Sequence, residues 1–175
     1  MHYDKQCTFL KNIKGFLVMT QKLLIKCMLG VAVGLSSLMT YAATIEGYWQ
    51  SIDDHTGEKL SIIEIKKDAN NEYNGTIVQR FAVPGAQMMT HCTKCTGALK
   101  NKPIVGLEIL TGFKKDPNKP NAYIDGRCVD PKNGKSYKGK ANLSSDGKRL
   151  RMRGYLGISA LGRTVVWIRT DKVTP

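Results

Sequence analysis

Residues 135–157 read KSYKGKANLSSDGKRLRMRGYLG, and the alternation inside this stretch decides the fold. Tyr137, Ala141 and Leu143 are interleaved with Lys138, Lys140 and Asn142. After Ser144-Ser145-Asp146-Gly147, Leu150 and Met152 are interleaved with Arg149, Arg151 and Arg153. Side chains two residues apart share one face of a strand, and Asp-Gly between two such runs marks a hairpin turn. The stretch therefore predicts paired strands at 136–143 and 149–157, with Tyr137, Ala141, Leu143, Leu150 and Met152 facing in. That leaves Lys138, Lys140, Arg149, Arg151 and Arg153 facing out. Facing cations repel across a sheet, unless an anion compensates them or they guard an exposed edge. These five are candidate anion-binding residues, with a solvated face as the bland reading.

Outward from the hairpin the same grammar continues. Short alternating segments at 45–52, 59–66, 73–80, 104–113, 122–129 and 163–170 are separated by turn residues such as Asp53-Asp54-His55-Thr56-Gly57 and Asp130-Pro131-Lys132-Asn133-Gly134. A long loop, 81–102, carries a cysteine pair. No segment has the period of an amphipathic helix. Eight evenly punctuated strands predict an all-β fold, a single antiparallel up-and-down barrel. Such a barrel encloses side chains or one small ligand. Most aspartates fall in turns, where the side chain bonds nearby backbone N–H groups.

Gly47-Tyr48-Trp49 on the first strand and Arg169 near the end of the last resemble the lipocalin or calycin type of barrel. The resemblance implies that Gly47, Trp49 and Arg169 are structural, with Trp49 packed beneath the arginine. The block Asp130-Pro131-x-Asn133-Gly134-Lys135-x-Tyr137, then Leu150-x-x-Arg153-Gly154-Tyr155-x-Gly157-Ile158-Ser159-x-x-Gly162-Arg163-Thr164-x-x-Trp167-x-Arg169, is similar to a bacterial family called domain of unknown function 2147. Pro103-Ile104-x-Gly106-Leu107 matches it too. That resemblance implies an exported, single-domain barrel and carries no activity.

The N-terminal region reads as an export signal. From Met19 a basic start is followed by an uncharged run, 27–39, and then Thr40-Tyr41-Ala42-Ala43, the small-residue exit of a secretory signal peptide. The run is too short for a transmembrane helix, which needs about 20 residues. Cleavage is expected after Ala42 or Ala43, leaving residues 44–175 as one barrel domain that is periplasmic or secreted. Residues 1–18 serve no signal function, and either Met1 or Met19 is the start. The first 43 residues hold five Lys and one Asp of the chain's 27 basic and 14 acidic residues, so the remainder keeps an excess near +9. Outside the cytoplasm such a charge meets anionic lipids or glycans rather than nucleic acid.

Catalytic signatures are absent: no Gly-x-Ser-x-Gly, no His-Glu-x-x-His and no phosphate-cradling loop. Beyond residue 43 the histidines are His55, in a turn, and His91, beside Cys92-x-x-Cys95. An oxidising compartment favours a Cys92–Cys95 disulfide. Half of a zinc site completed by Cys128, and a redox dithiol, are the other readings of the pair. No cofactor and no metal are expected, and Cys128 alone reads as a small buried hydrophobe. The apolar segment 158–161 reads as a plug for one barrel end, or as a mouth loop.

The function expected is a non-enzymatic binding protein that holds a small apolar or amphipathic ligand in the barrel, with Trp49, Tyr137, Tyr155 and Trp167 as candidate wall residues. The alternative is a module with a packed interior that docks on anionic lipids or polysaccharides through the basic hairpin. A cavity of about 300 Å³ or more favours the first.

Overall fold

The computed structural model describes residues 43–171. The signal segment and the choice between Met1 and Met19 lie outside them. The strands are β1 (Gly47–Ile52), β2 (Lys59–Lys67), β3 (Tyr73–Arg80), β4 (Glu108–Lys115), β5 (Ala122–Asp130), β6 (Lys135–Leu143), β7 (Arg149–Tyr155) and β8 (Arg163–Thr170). They pair in chain order and close into an antiparallel barrel, because β8 returns to β1 through Tyr48↔Thr170 to Ser51↔Trp167. Closure removes the free sheet edges that otherwise invite aggregation.

Several strand limits differ from the sequence expectation by a residue or more, and two of the differences have a clear backbone reason. The fourth strand begins at Glu108, not at Ile104. Residues 104–107 form a turn pinned to β3, with Gly106 N–H donating to the Ile77 carbonyl at 2.7 Å and Ile77 N–H donating to the Leu107 carbonyl at 3.0 Å. Ile104 and Leu107 are buried there, which is why the segment looks strand-like in sequence. The seventh strand stops at Tyr155 because Gly157 sits at φ +68°, in the left-handed region.

The turn aspartates cap as expected. Asp53 accepts the N–H of His55 and Thr56, Asp68 those of Asn70 and Glu72, Asp130 that of Lys132 and Asp146 that of Lys148. Backbone donors hold the carboxyls of Asp53 and Asp68 below the usual range. Asp54 departs from the pattern: both of its oxygens accept from Arg163 Nη2, at 2.7 and 2.6 Å.

One end of the barrel is sealed. Trp49 is wholly buried, and its Nε1 donates to the Ile45 carbonyl at 2.8 Å. The Arg169 guanidinium lies 4.3 Å from the Trp49 ring centroid. It donates to the carbonyls of Gly147, Glu46 and Thr44. Gly47 holds φ +113°, and a Cβ there would stand 3.1 Å from Arg169 Nη1. The position therefore suits glycine on both conformational and steric grounds.

The interior is filled unevenly. Phe113 lies across the paired glycines Gly126 and Gly139; a Cβ at either would come within 2.2 or 2.5 Å of its ring. Leu110 fills the same kind of gap over Gly75. Large side chains on β4 thus occupy the space that neighbouring strands vacate, as close packing requires. The Gly126→Ala substitution is expected to lower stability by about 1–3 kcal/mol through overpacking, measured by urea denaturation. In a Phe113→Ala background the same substitution is expected to cost much less.

Candidate functional site

Pairing register lays one row of inward side chains across the barrel. Leu150 faces Trp167, Trp167 faces Ser51, Ser51 faces Ser61, and Ser61 faces Arg80. Directly opposed residues project to the same side of a sheet, so this row runs along the wall of the interior. Beside it, at the end away from Trp49, lies a cavity of about 610 Å³, inside the range of about 300–1,000 Å³ that holds a small molecule. Ile63, Ile77, Ile109, Leu110, Met152, Val165 and Trp167 line it with apolar surface. Its rim comes from the ends of β1, β3, β5 and β7 and the starts of β2 and β8.

Polar groups occupy defined places on that wall. The Ser51 and Ser61 hydroxyls are buried and 2.7 Å apart, and Ser51 Oγ also lies 3.3 Å from the Ser61 carbonyl. At the rim, Asp54 is tied to Arg163, Asp53 has Lys132 Nζ at 3.8 Å, and Asn133 Nδ2 bridges Asp130 and the Tyr137 hydroxyl at 2.8 and 3.0 Å. Arg80, at the end of β3, also lines the cavity. The side chain is half-buried: its Nε is buried and makes no hydrogen bond, and among the described residues no carboxylate or carbonyl answers its charge.

The candidate wall residues separate under this geometry. Tyr137 and Trp167 line the cavity. Trp49 does not; it is the floor, shut away beneath Arg169. Tyr155 pairs with Lys138 on the outer face, touching the cavity only at the rim. With Lys138 and Arg127 it lines a separate outer groove of about 370 Å³. The expected inward placement of Tyr155 fails because the inward parity of β7 belongs to Leu150, Met152 and Gly154. Sequence reading missed Arg80, Ser51 and Ser61. Their signal is cross-strand pairing, Ser51↔Ser61 and Ser61↔Arg80, and the second depends on a β2–β3 register shift between Ile62 and Ile63.

The five hairpin cations do lie on the outer side, but they are not equivalent. Lys138, Arg149 and Arg151 are exposed. Lys140 sits 5.7 Å above the Tyr155 ring. Arg153 donates to the Ser159 carbonyl, the Ala160 carbonyl and Thr164 Oγ1, each at 2.8 Å. It is a brace for the β7–β8 connection rather than a free anion contact. That connection is not a plug: Ile158 and Leu161 are 64% and 81% exposed. The short 3₁₀ turn Ser159–Leu161 lifts them to the rim, and Leu161 joins Leu156 at the cavity mouth.

Cys92 and Cys95 form a disulfide, which removes both thiolates that a zinc site or a dithiol reaction needs. The bridged loop packs on the β5–β6 turn, where a Cβ at Gly134 would stand 1.9 Å from the Lys94 carbonyl oxygen. Among the described residues no three His, Cys, Asp or Glu side chains gather as a metal site, and no helix is long and apolar enough to cross a membrane. His55 and His91 are both exposed. Cys128 lies on the inner side, beside Gly139 and the cavity, and burial pushes its thiol up to about 12.

A family model described as "Uncharacterized protein conserved in bacteria (DUF2147)" matches residues 47–169, and the chain belongs to that family. Among solved structures it is similar to one titled "Protein HP1028 from the human pathogen Helicobacter pylori belongs to the lipocalin family". The likeness has a TM-score of 0.60 at 19% identity, covering 74% of this chain and 84% of that one. It shows a shared fold, the lipocalin-like closed barrel. Comparison with proteins of curated function finds no match.

The Cys128 thiol makes a pH prediction with a definite sign. Its pKa is raised from an ordinary value near 9 to about 12 in the folded chain. Between those values the unfolded chain has lost the proton and the folded chain keeps it, so stability falls as pH rises. The slope reaches at most about 1.4 kcal/mol per pH unit. Urea denaturation from pH 8 to 11 is expected to show this decline, and Cys128→Ala is expected to flatten it. An unchanged slope in the variant contradicts the assignment.

Proposed function

We propose that this protein is a non-enzymatic carrier that holds a small apolar or amphipathic molecule in the open half of its barrel and works outside the cytoplasm. The carrying observation is the cavity of about 610 Å³ walled mainly by aliphatic side chains and Trp167. A packed interior was the condition for a pure docking module, and this interior is not packed at that end. Removing apolar surface from water contributes roughly 25 cal/mol per Å², so such a wall favours apolar matter over water. Export is supported by the signal-like residues 19–43 and accords with the Cys92–Cys95 disulfide, a bond that persists in oxidising compartments.

The two tryptophans make the reading testable. Trp167 lines the cavity and Trp49 lies in the sealed floor. Titration with a small apolar quencher is expected to change the emission of Trp167 with one-to-one stoichiometry. In Trp167→Phe the remaining emission, from Trp49, is expected to stay constant while calorimetry still detects binding. Native mass spectrometry of protein taken from its own cells is expected to show a retained small molecule. A barrel that binds no apolar probe in calorimetry removes the proposal.

A further inference from the structure

Arg80 is the unusual member of the cavity wall. Guanidinium is charged at any ordinary pH, and placing a charge in low-polarity surroundings is costly unless it is paired and hydrogen-bonded. Proteins satisfy such groups as a rule. Among the described residues, Arg80 Nε is the buried side-chain polar atom left without a partner. Burial alone shifts its titration, downward, with no charged group contributing.

The carboxylates that line the same cavity are committed elsewhere. Asp54 holds Arg163, Asp53 faces Lys132 and two backbone N–H groups, and Asp130 accepts from Lys132 N–H and Asn133. The groups beside Arg80 are instead neutral. Its cross-strand partner is Ser61, whose hydroxyl meets that of Ser51 at 2.7 Å. One hydroxyl hydrogen bridges that pair. When Ser51 supplies it, the Ser61 hydrogen is free to turn toward a ligand oxygen; when Ser61 supplies it, Ser51 has only the Ser61 carbonyl at a long 3.3 Å. The result is one cation and one hydroxyl donor on the β1–β3 side, facing an aliphatic wall from β4, β7 and β8.

We propose that the ligand is an amphipathic anion, a long apolar body ending in one carboxylate or phosphate, whose head is held by Arg80 beside Ser51 and Ser61. This rests on the carrier reading and names the ligand's chemistry. The apolar body lies against Ile109, Leu110, Met152, Val165 and Trp167. The head completes the hydrogen bonding that the chain leaves open. A neutral chain of equal length gains the same wall contacts and leaves the guanidinium unanswered, so the charge on the head decides affinity.

Isothermal titration of the whole chain with dodecanoate, dodecyl phosphate and dodecanol, each below its aggregation limit, tests this directly. At least one anion is expected to bind roughly 10- to 100-fold tighter than dodecanol, the range for a hydrogen bond to a charged group. The tighter anion identifies the head. In Arg80→Gln that preference is expected to vanish while dodecanol binding holds, and in Arg80→Lys part of the preference is expected to remain. Dodecanol binding as tightly as both anions overturns the head-group assignment and leaves the carrier reading standing. The comparison needs only the wild-type protein, so it decides even where a variant fails to fold. Binding of none of the three overturns both.

Discussion

Arg169 carries the closed end of this barrel. Its guanidinium is partly desolvated, which lowers its pKa, and the chain answers it with three carbonyls and the face of Trp49. Those carbonyls come from the segment before β1 and from the β6–β7 turn. One side chain on the last strand thus ties together the beginning, the middle and the end of the domain. Hydrogen bonds to a charged group contribute more than neutral ones, and the ring adds a cation–π contact. With β1 and β8 fastened, the sheet cannot unroll at that end. The opposite end is then free to remain open.

The open end follows from how volume is distributed along the strands. Near the middle, β4 supplies Leu110 and Phe113 while β3, β5 and β6 supply Gly75, Gly126 and Gly139 opposite them. Bulk against no bulk gives a dense layer above the Trp49 floor. Toward the rim the inward residues come to include Ser51, Ser61, Cys128, Val165 and Arg80. Four of these are small, and the arginine sits where small partners cannot fill the space around it. The cavity is the consequence of that change in side-chain size. The disulfide-bridged loop braces the β5–β6 turn from outside and supports the rim without entering the wall.

The strands and their turns were legible because period-two alternation and Asp-Gly or Asn-Gly steps report local physics. Leu150, Met152 and Ala141 point inward for the reason their neighbours are charged. The Gly47, Trp49 and Arg169 set was legible through resemblance. The site was much less so. Alternation assigns a face only while the strand runs true, and a register shift within β2–β3 decides that Arg80 faces Ser61. Arg153 reads in sequence like Arg149 and Arg151. Its role as a brace depends on carbonyls that the Ser159–Leu161 turn places within reach. Ile158 and Leu161 read first as a plug because apolar residues usually bury, but a rim has no opposing layer to cover them.

Arg169 and Arg80 form a contrast within one small barrel. Both guanidiniums lie on inward strand positions, and burial pulls the pKa of each down. Arg169 has the backbone around it arranged so that each of its three nitrogens donates to a carbonyl. Arg80 has two hydroxyls nearby and an empty volume in front. The difference is not the cost of desolvation, which both side chains bear, but what meets it. At the closed end the chain supplies the partners, and the arginine stabilises the fold. At the open end the chain supplies apolar wall and, among the described residues, no acceptor for the Arg80 Nε. An arginine required only for solubility can extend over the rim to water, as long cationic side chains commonly do. Arg80 is itself partly exposed, yet its Nε stays inside without a partner. The physical asymmetry between the two ends therefore separates an arginine that builds the barrel from one that gives its cavity a preference for negative charge.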